Sequence, residues 1–238
     1  MTPRSYDDLF KSPGGALISF HEVSSICEML DYPREKSILD VGTGTGRVAV
    51  RLIELGNEVC GIDVNRDRIR AAVLKAKNKC KYHVILANGE HIPVKSDSVD
   101  LAVCIKVLKY FKKPIIGLAE IARTLKPDGL CIIEISNSLG YENPYLTFRR
   151  ILSQNRYAPE MGPRYNLFNP FEMKDVIQSL GLSIQRIIGW HRIPPAIFKR
   201  TSNRTVLRIL YLLELALEKI LPNVVLSRGI LFSCRKIR

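Results

Sequence analysis

Three alternating glycines and a nearby carboxylate are the residues of this sequence best suited to bind a nucleotide. Gly42, Gly44 and Gly46 follow a short apolar run that contains Asp40, and an amphipathic helical pattern begins directly after them. A strand that leads through a glycine turn into a helix opens the nucleotide-binding α/β domains. Glycine suits that turn because the backbone takes positive φ values and a ligand approaches it closely.

The spacing of these glycines disfavours a dinucleotide, and with it a nucleotide-dependent oxidoreductase. A dinucleotide fingerprint has the form G-x-G-x-x-G, and counted from Gly42 its last position falls on Arg47. The carboxylate of Asp40 would repel a pyrophosphate but could orient a cationic ligand. The pattern therefore favours a positively charged ligand, and a glycine turn that binds nothing is the alternative.

The pattern D-x-G-x-G-x-G resembles motif I of the class I S-adenosylmethionine-dependent methyltransferases. The cofactor of that family carries a sulfonium, an ammonium and no phosphate. The resemblance implies that S-adenosyl-L-methionine is the cofactor of this chain. It also implies that the cofactor contacts Asp40, Gly42, Thr43, Gly44 and Gly46.

The next predicted strand, 58–64, supplies a second carboxylate. Asp63 lies 17 residues after Gly46, close to the spacing expected for an acid that binds ribose at the carboxyl end of the neighbouring strand. A carboxylate can accept hydrogen bonds from both ribose hydroxyls at once. We therefore predict that Asp63 and the adjacent Val64 belong to the cofactor site.

A segment after the third predicted strand (82–87) strengthens the resemblance. Many small-molecule methyltransferases of this class, including the ubiquinone-biosynthesis type, carry D-A-E-x-L-P-F there, and this chain has N-G-E-H-I-P-V at 88–94. The adenine-binding acid of the family falls on Asn88, whose carbonyl oxygen can still accept from the adenine amino group. The resemblance implies that Asn88, Gly89 and Glu90 line the cofactor site.

The end of the fourth predicted strand, 101–105, adds the last candidates. In the family, residues that follow this strand line the methyl-transfer pocket. The resemblance therefore adds Ile105 to the cofactor site and makes Lys106, Lys109 and Tyr110 candidates for the acceptor side.

The order of these features predicts an α/β fold with a doubly wound, seven-stranded, mostly parallel sheet, an antiparallel last strand and helical cover elements. The later strands are predicted at 130–136, after an L-K-P-D-G turn at 125–129, and at 183–190 and 229–234. Helices are predicted at 16–31, 65–79, 113–125, 170–180 and 205–221. In the second of these helices, Ile69, Val73 and Leu74 are expected to face inward.

We predict a single domain with three parts. Residues 1–36 form an arm and a cap helix over the cofactor pocket, from which Tyr6 and His21 could face the site, and residues 37–136 form the cofactor-binding core. Residues 137–238 complete the sheet and carry two insertions that cover the acceptor, at 137–168 and 191–227. The first insertion interleaves aromatic residues with arginines, which suits a flat or anionic acceptor.

Charge is distributed unevenly between the two halves of the chain. The net charge is +13, and residues 137–238 contain 16 basic and 6 acidic side chains. This asymmetry indicates an anionic partner, which could be nucleic acid, an anionic membrane or an acidic substrate, with a solvated basic surface as the alternative. Helix 205–221 is too charged to span a bilayer, but it could lie on one, cover a lipid-like acceptor or pack against the domain.

The cysteines and the amino terminus predict a cytoplasmic protein, with peripheral contact at the membrane left open. The six cysteines are scattered without a C-x-x-C pair and several lie in apolar runs, so we expect reduced core residues, no disulfide and no metal site. The first residues lack the apolar core of a signal peptide, and no run is long and apolar enough to be a membrane span.

The acceptor is the least determined part of the prediction. Methyl transfer is an in-line displacement that depends mainly on alignment, so no catalytic residue is assigned, although His21, His91 and His191 could act as bases. The fourth strand ends in C-I-K-V rather than an N-P-P-Y type motif, which makes nucleic acid a less favoured acceptor. We expect a small, anionic or lipid-like molecule; the alternatives are an RNA methyltransferase and a non-catalytic basic module that binds RNA or a partner.

Overall fold

The computed structural model describes residues 7–8, 10–76, 81–141, 166–220 and 227–237. Within them, seven strands form one sheet in the order β3-β2-β1-β4-β5-β7-β6. The strands are β1 (Ser37–Val41), β2 (Glu58–Asp63), β3 (Tyr82–Leu86), β4 (Val99–Cys104), β5 (Leu125–Ser136), β6 (Leu182–Trp190) and β7 (Gly229–Lys236).

Helices cover this sheet, and every connection between consecutive strands except the one from β3 to β4 contains a helix. They are α1 (Pro13–Met29), α2 (Arg47–Glu54), α3 (Arg66–Lys75), α4 (Pro114–Thr124), α5 (Pro170–Ser179), α6 (Pro195–Lys199) and α7 (Arg204–Ile220). Helix α1 begins three residues before its predicted start, because the Ser12 hydroxyl caps it by accepting the Gly15 N–H at 3.1 Å. Asn65 and Asn169 cap α3 and α5 in the same way.

The pairing of the strands confirms the predicted fold class. Strand β1 lies between β2 and β4 and is parallel to both, and β4 continues in parallel to β5. Strand β7 inserts antiparallel between β5 and β6. The carboxyl ends of β1, β2 and β4 therefore meet at one edge of the sheet, where a ligand binds in open α/β folds.

The two faces of the sheet carry two separate apolar cores. Alternate residues of a strand point to opposite faces: Leu39 joins a core with Ile62 and Phe232, whereas Ile38 joins one with Ile132 and Trp190. Both faces of β1 are thus sealed from water, and they hold the glycine turn that follows it in a fixed position.

Two local expectations are wrong. The segment 125–129 is part of β5 rather than a turn before it; the register shifts between Val99 and Leu101, and Asp128 takes a φ of 61° to accommodate the extra residues. On α3, Val73 and Leu74 are 51% and 70% exposed instead of facing inward. The buried residue of that helix is the small Ala72, so α3 packs closely and leaves its larger apolar side chains outside.

Several predictions fall on residues outside the described ranges or remain untested. The interleaved aromatic residues and arginines lie almost entirely in 142–165, and the three-part division of the chain stays a prediction. Among the described residues, no helix combines the length and the apolar character needed to cross a bilayer.

Candidate functional site

The glycine turn is fastened to the end of the neighbouring strand. The backbone N–H groups of Gly42 and Thr43 both donate to the carbonyl oxygen of Ile62, at 2.8 and 2.9 Å. Gly42, Gly44 and Gly46 have φ values of 73°, 58° and 80°. This left-handed backbone is costly for other residue types, which explains why the turn contains three glycines.

The glycines differ in what surrounds them. A Cβ atom added to Gly42 would lie 2.4 Å from the side chain of Val107, so this glycine lets the chain that leaves β4 pack against the turn. A Cβ on Gly44 would meet only the carbonyl oxygen of Gly42, at 3.8 Å. The turn is therefore packed on the side of Gly42 and open beside Gly44.

Asp40 lies beneath the turn, where it is almost completely buried. Its carboxylate accepts a hydrogen bond from the Thr43 hydroxyl at 2.8 Å, and that hydroxyl also contacts the Tyr82 phenol at 2.8 Å. Burial raises the pKa of Asp40 from 3.8 to about 6, and the nearby Asp63 contributes, although the bond from Thr43 opposes the rise. A cation bound above this carboxylate would offset the cost of its burial.

Asp63 stands at the carboxyl end of β2, against the open part of the turn. One carboxylate oxygen accepts the Gly44 N–H at 3.0 Å and the other accepts the Asn65 N–H at 2.8 Å. Each carboxylate oxygen can accept a second hydrogen bond. The next residue, Val64, is 70% exposed. A carboxylate with spare acceptor capacity thus adjoins an exposed apolar side chain.

The loop after β3 places the remaining predicted residues. The exposed Asn88 accepts the Glu90 N–H through its side-chain oxygen at 3.0 Å. The buried carboxylate of Glu90 accepts the backbone N–H of Lys113, just before α4. A Cβ on Gly89 would lie 2.4 Å from the ring of Phe111, so only glycine fits there. Asn88 can therefore contact a ligand, whereas Glu90 holds the loop in place.

The model of the methyltransferase-domain family matches residues 39–133, which contain all of these groups. The ubiquinone biosynthesis O-methyltransferase of Hydrogenovibrio crunogenus is 32% identical over 97 residues, which are 40% of this chain and 40% of that protein. The enzyme of the same name from Aeromonas salmonicida is 25% identical over 195 residues, 76% of this chain and 79% of that protein. Residues 39–133 therefore match a methyltransferase domain, and this match supports the predicted class I family.

Solved structures agree with this domain in their fold. YcgJ of Bacillus subtilis has a TM-score of 0.64 at 18% identity, with 92% of this chain and 99% of that chain covered. The 1,6-didemethyltoxoflavin-N1-methyltransferase of Burkholderia thailandensis, solved with S-adenosylhomocysteine, has a TM-score of 0.63 at 14% identity and covers 99% of this chain and 83% of that chain. These likenesses confirm the predicted fold, whereas the support for S-adenosylmethionine as the cofactor comes from the methyltransferase-domain match over residues 39–133.

Beside the turn lies a fully buried carboxylate with three partners. Glu22, from α1, contacts Arg47 at 2.7 Å, His191 Nε2 at 2.8 Å, and the ammonium group of Lys106. Burial alone would raise the pKa of Glu22, but the charges of Lys106 and Arg47 and the bond with His191 lower it well below its usual value. We call these four residues the Glu22 cluster.

The Glu22 cluster joins the cap helix to both sides of the predicted pocket. Arg47 opens the helix that follows the glycine turn, and Lys106 lies two residues after β4. Lys106 and His191 have φ values of 60° and 55°, conformations that cost energy and often occur at functional sites. Neither Glu22 nor Arg47 could be identified as a site residue from the sequence, since single charges in amphipathic helices usually face water.

The amino-terminal arm also contacts the turn. The carboxylate of Asp7 accepts the Thr45 hydroxyl at 2.7 Å and pairs with Lys75 at 2.7 Å. The ring of Phe10 lies 4.9 Å from the Arg47 guanidinium carbon. The arm therefore packs against the glycine turn, as expected of a cap, whereas Tyr6 lies outside the described residues.

The three candidate histidines have different surroundings. His91 is exposed, and His191 belongs to the Glu22 cluster. His21 faces α7, with Nε2 3.4 Å from Glu218 and its ring 5.6 Å from that of Tyr211. Burial opposes protonation of His21, yet the hydrogen bond and charge of Glu218 raise its pKa. His21 therefore ties α1 to α7 rather than facing the glycine turn.

Proposed function

We propose that this protein transfers the methyl group of S-adenosylmethionine to a small acceptor. The observation that carries the proposal is the carboxylate of Asp63, which lies against Gly44 where the turn is open. An adenosyl group requires a hydrogen-bond acceptor for its ribose hydroxyls, an apolar contact for its adenine ring and room next to the backbone. Asp63, Val64 and Gly44 offer these three features together at the carboxyl edge of the sheet.

The residues present suit the cofactor group by group. The free acceptor positions of Asp63 would hold the ribose hydroxyls, and Val64 would contact the adenine ring. The side-chain oxygen of Asn88 can accept from the adenine amino group in addition to the Glu90 N–H. Asp40 would balance the positive charge of the ligand from below, since its burial makes an uncompensated negative charge costly there.

The chemistry asks mainly for alignment from the protein. The cofactor supplies an already activated methyl group when it is bound, so the chain has to bind donor and acceptor in line and exclude water. Lys106, fixed by Glu22 and located just after β4, would place a positive charge at the acceptor side. This charge supports an anionic or acidic acceptor. The relatives named for ubiquinone biosynthesis support a small and lipid-like one.

Titration calorimetry with S-adenosylmethionine, S-adenosylhomocysteine and NADH tests the cofactor part of the proposal. We expect micromolar binding of the two adenosyl ligands and none of NADH. Asp63→Ala should weaken the binding of both adenosyl ligands about tenfold or more, because a hydrogen bond to a charged group contributes about 1.5–3 kcal/mol.

The matched control is Glu58→Ala, at the opposite end of β2. The side chain of Glu58 is exposed and, in the hydrogen bonds and ion pairs described, contacts only His83, at 3.1 Å, so its loss should leave both affinities unchanged. Absence of adenosyl binding in the folded wild type would refute the proposal, as would equal effects of the two substitutions. Binding in the expected order would justify an acceptor screen that begins with phenols and lipids.

A further inference from the structure

Several apolar residues of helix α7 face outward instead of packing against the rest of the domain. Val206, Ile209, Leu212 and Leu213 are 41%, 53%, 55% and 49% exposed. The buried side of the same helix contains the carboxylate of Glu214, which is 3% exposed. Contiguous exposed apolar side chains on a soluble domain usually mark an interaction surface.

Two contacts fix the rotation of α7 and therefore the direction of this face. The Glu214 carboxylate accepts the backbone N–H groups of Arg192 and Ile193, at 2.9 and 2.8 Å. Two helical turns earlier, Leu207 packs with Ile18 and Phe198. Residues 207 and 214 lie on one side of a helix with 3.6 residues per turn, so Val206, Ile209, Leu212 and Leu213 on the other side are held outward.

A cationic stripe borders the exposed apolar face. Arg204 and Arg208 are both exposed and lie one turn apart, beside Leu212 on the helix surface. Residues 191–213 contain no aspartate or glutamate that would offset this charge. The surface of α7 thus combines an apolar face with a basic edge. We call the four apolar residues, Arg204 and Arg208 the α7 surface.

We infer that the α7 surface binds in the plane of an anionic lipid membrane. Helices that lie at a bilayer interface have this division into an apolar face and a basic flank, and cations next to an anionic leaflet each add to the attraction. In this arrangement α7 lies along the membrane surface, with its apolar face toward the lipid. A second copy of the chain fits less well, since a self-paired contact would bring two basic edges together.

Sedimentation of the full chain with lipid vesicles tests this inference. We compare vesicles of phosphatidylcholine alone with vesicles that contain 30% phosphatidylglycerol, without any cofactor. The wild type should sediment with the anionic vesicles but not with the neutral ones. Binding should fall as the salt concentration rises, because screening weakens the charge contacts. Since no methyl transfer is involved, the result is independent of the proposed function.

Two pairs of substitutions separate the apolar and the basic contributions. Ile209→Glu with Leu213→Glu should abolish vesicle binding, whereas Arg204→Gln with Arg208→Gln should weaken it by about 30-fold, or about fivefold for each cation. The matched control is Val73→Glu with Leu74→Glu on α3, which places the same charges on an equally exposed apolar pair elsewhere. This control should bind vesicles as the wild type does.

Thermal melting of each variant checks that loss of binding is not loss of folding. If the glutamate pair unfolds the domain, Ile209→Ser with Leu213→Ser replaces it as the test of the face. The inference is overturned if the wild type does not bind anionic vesicles, or if the α3 pair removes binding as strongly as the α7 pair. A wild-type dimer that Ile209→Glu separates, measured by light scattering, would also overturn it and assign the α7 surface to a second copy.

Discussion

Replacing Asp40 with asparagine should stabilise the apo protein in a way that depends on pH. In the folded state burial raises the pKa of this carboxyl from 3.8 to about 6. Between these two values the folded state holds a proton that the unfolded state has lost, so the wild type loses stability as pH rises. The Asp40→Asn variant would have no such titration, and the difference between the two proteins should grow over the same range.

The size of the effect follows from the rise in pKa. A rise from 3.8 to about 6 corresponds to about 3 kcal/mol when the group is ionised in both states. Roughly half of that, ~1.5 kcal/mol, develops between pH 5 and pH 8. The amide of asparagine carries its own cost for the NH₂ group it would bury, but that cost does not change with pH. The change in the difference is therefore the quantity to measure.

Urea denaturation of the wild type and Asp40→Asn at several pH values from 5 to 8 gives this quantity directly. Asp100→Asn is the control: although burial opposes it, hydrogen bonds from Lys126 and Ser37 lower the pKa of Asp100 to about 2, so both states are ionised above pH 5. Its effect on the free energy of unfolding should be constant with pH. If the effect of Asp40→Asn is also constant with pH, the pKa of Asp40 is not raised by burial in the folded state.

Two further substitutions test the turn and the Glu22 cluster. Gly44→Ala should cost about 1–2 kcal/mol of stability, because its backbone is left-handed, and should weaken the binding of S-adenosylmethionine measured by calorimetry. Gly42→Ala should lower the stability more in thermal melting, because its Cβ would meet the side chain of Val107. Unchanged affinity in a folded Gly44→Ala variant would contradict the placement of the cofactor. Glu22→Gln should lower the free energy of unfolding in urea by about 3 kcal/mol, since it leaves the partly buried Arg47 and Lys106 without their counter-charge. Glu28→Gln, exposed on the same helix, should change it little. Because the folded pKa of Glu22 is lowered well below its usual value, this difference should persist at neutral pH and shrink only in acid; a difference already lost at pH 6 would contradict the cluster.

The fold could be predicted from the sequence because its elements are marked by local patterns. Buried strands such as β1 and β4 are short apolar runs, and the turn after β1 needs glycines for reasons that hold in any context. The order of the strands was available through the resemblance rather than through the patterns. The boundary of β5 was missed, because a strand that absorbs Pro127 and Asp128 with a register shift has no local signature.

The position of Asp63 beside the glycine turn could be predicted from the sequence, whereas contacts between residues far apart in the chain could not. Asp63 follows a strand and a glycine turn at a recognisable spacing. The partners of Glu22 are 25, 84 and 169 residues away along the chain, and no sequence pattern in α1 indicates that Glu22 pairs with them. The exposure of Val206 and Ile209 depends on the Glu214 carboxylate, which accepts two backbone N–H groups just after β6 and so orients α7. The hydrophobic periodicity of the helix alone cannot predict this orientation.

These non-local contacts explain how one sheet edge serves both ends of the proposed reaction. Glu22 contacts Arg47 behind the turn and Lys106 beyond β4, so the same buried carboxylate supports the cofactor side and the acceptor side. Through His191, which follows β6, it also reaches the segment that fastens α7. Helix α7, which we propose faces lipid, and the glycine turn, which we propose faces the cofactor, are therefore both connected to this buried carboxylate. An acceptor delivered from a membrane would reach the pocket along elements that this network already fixes in place.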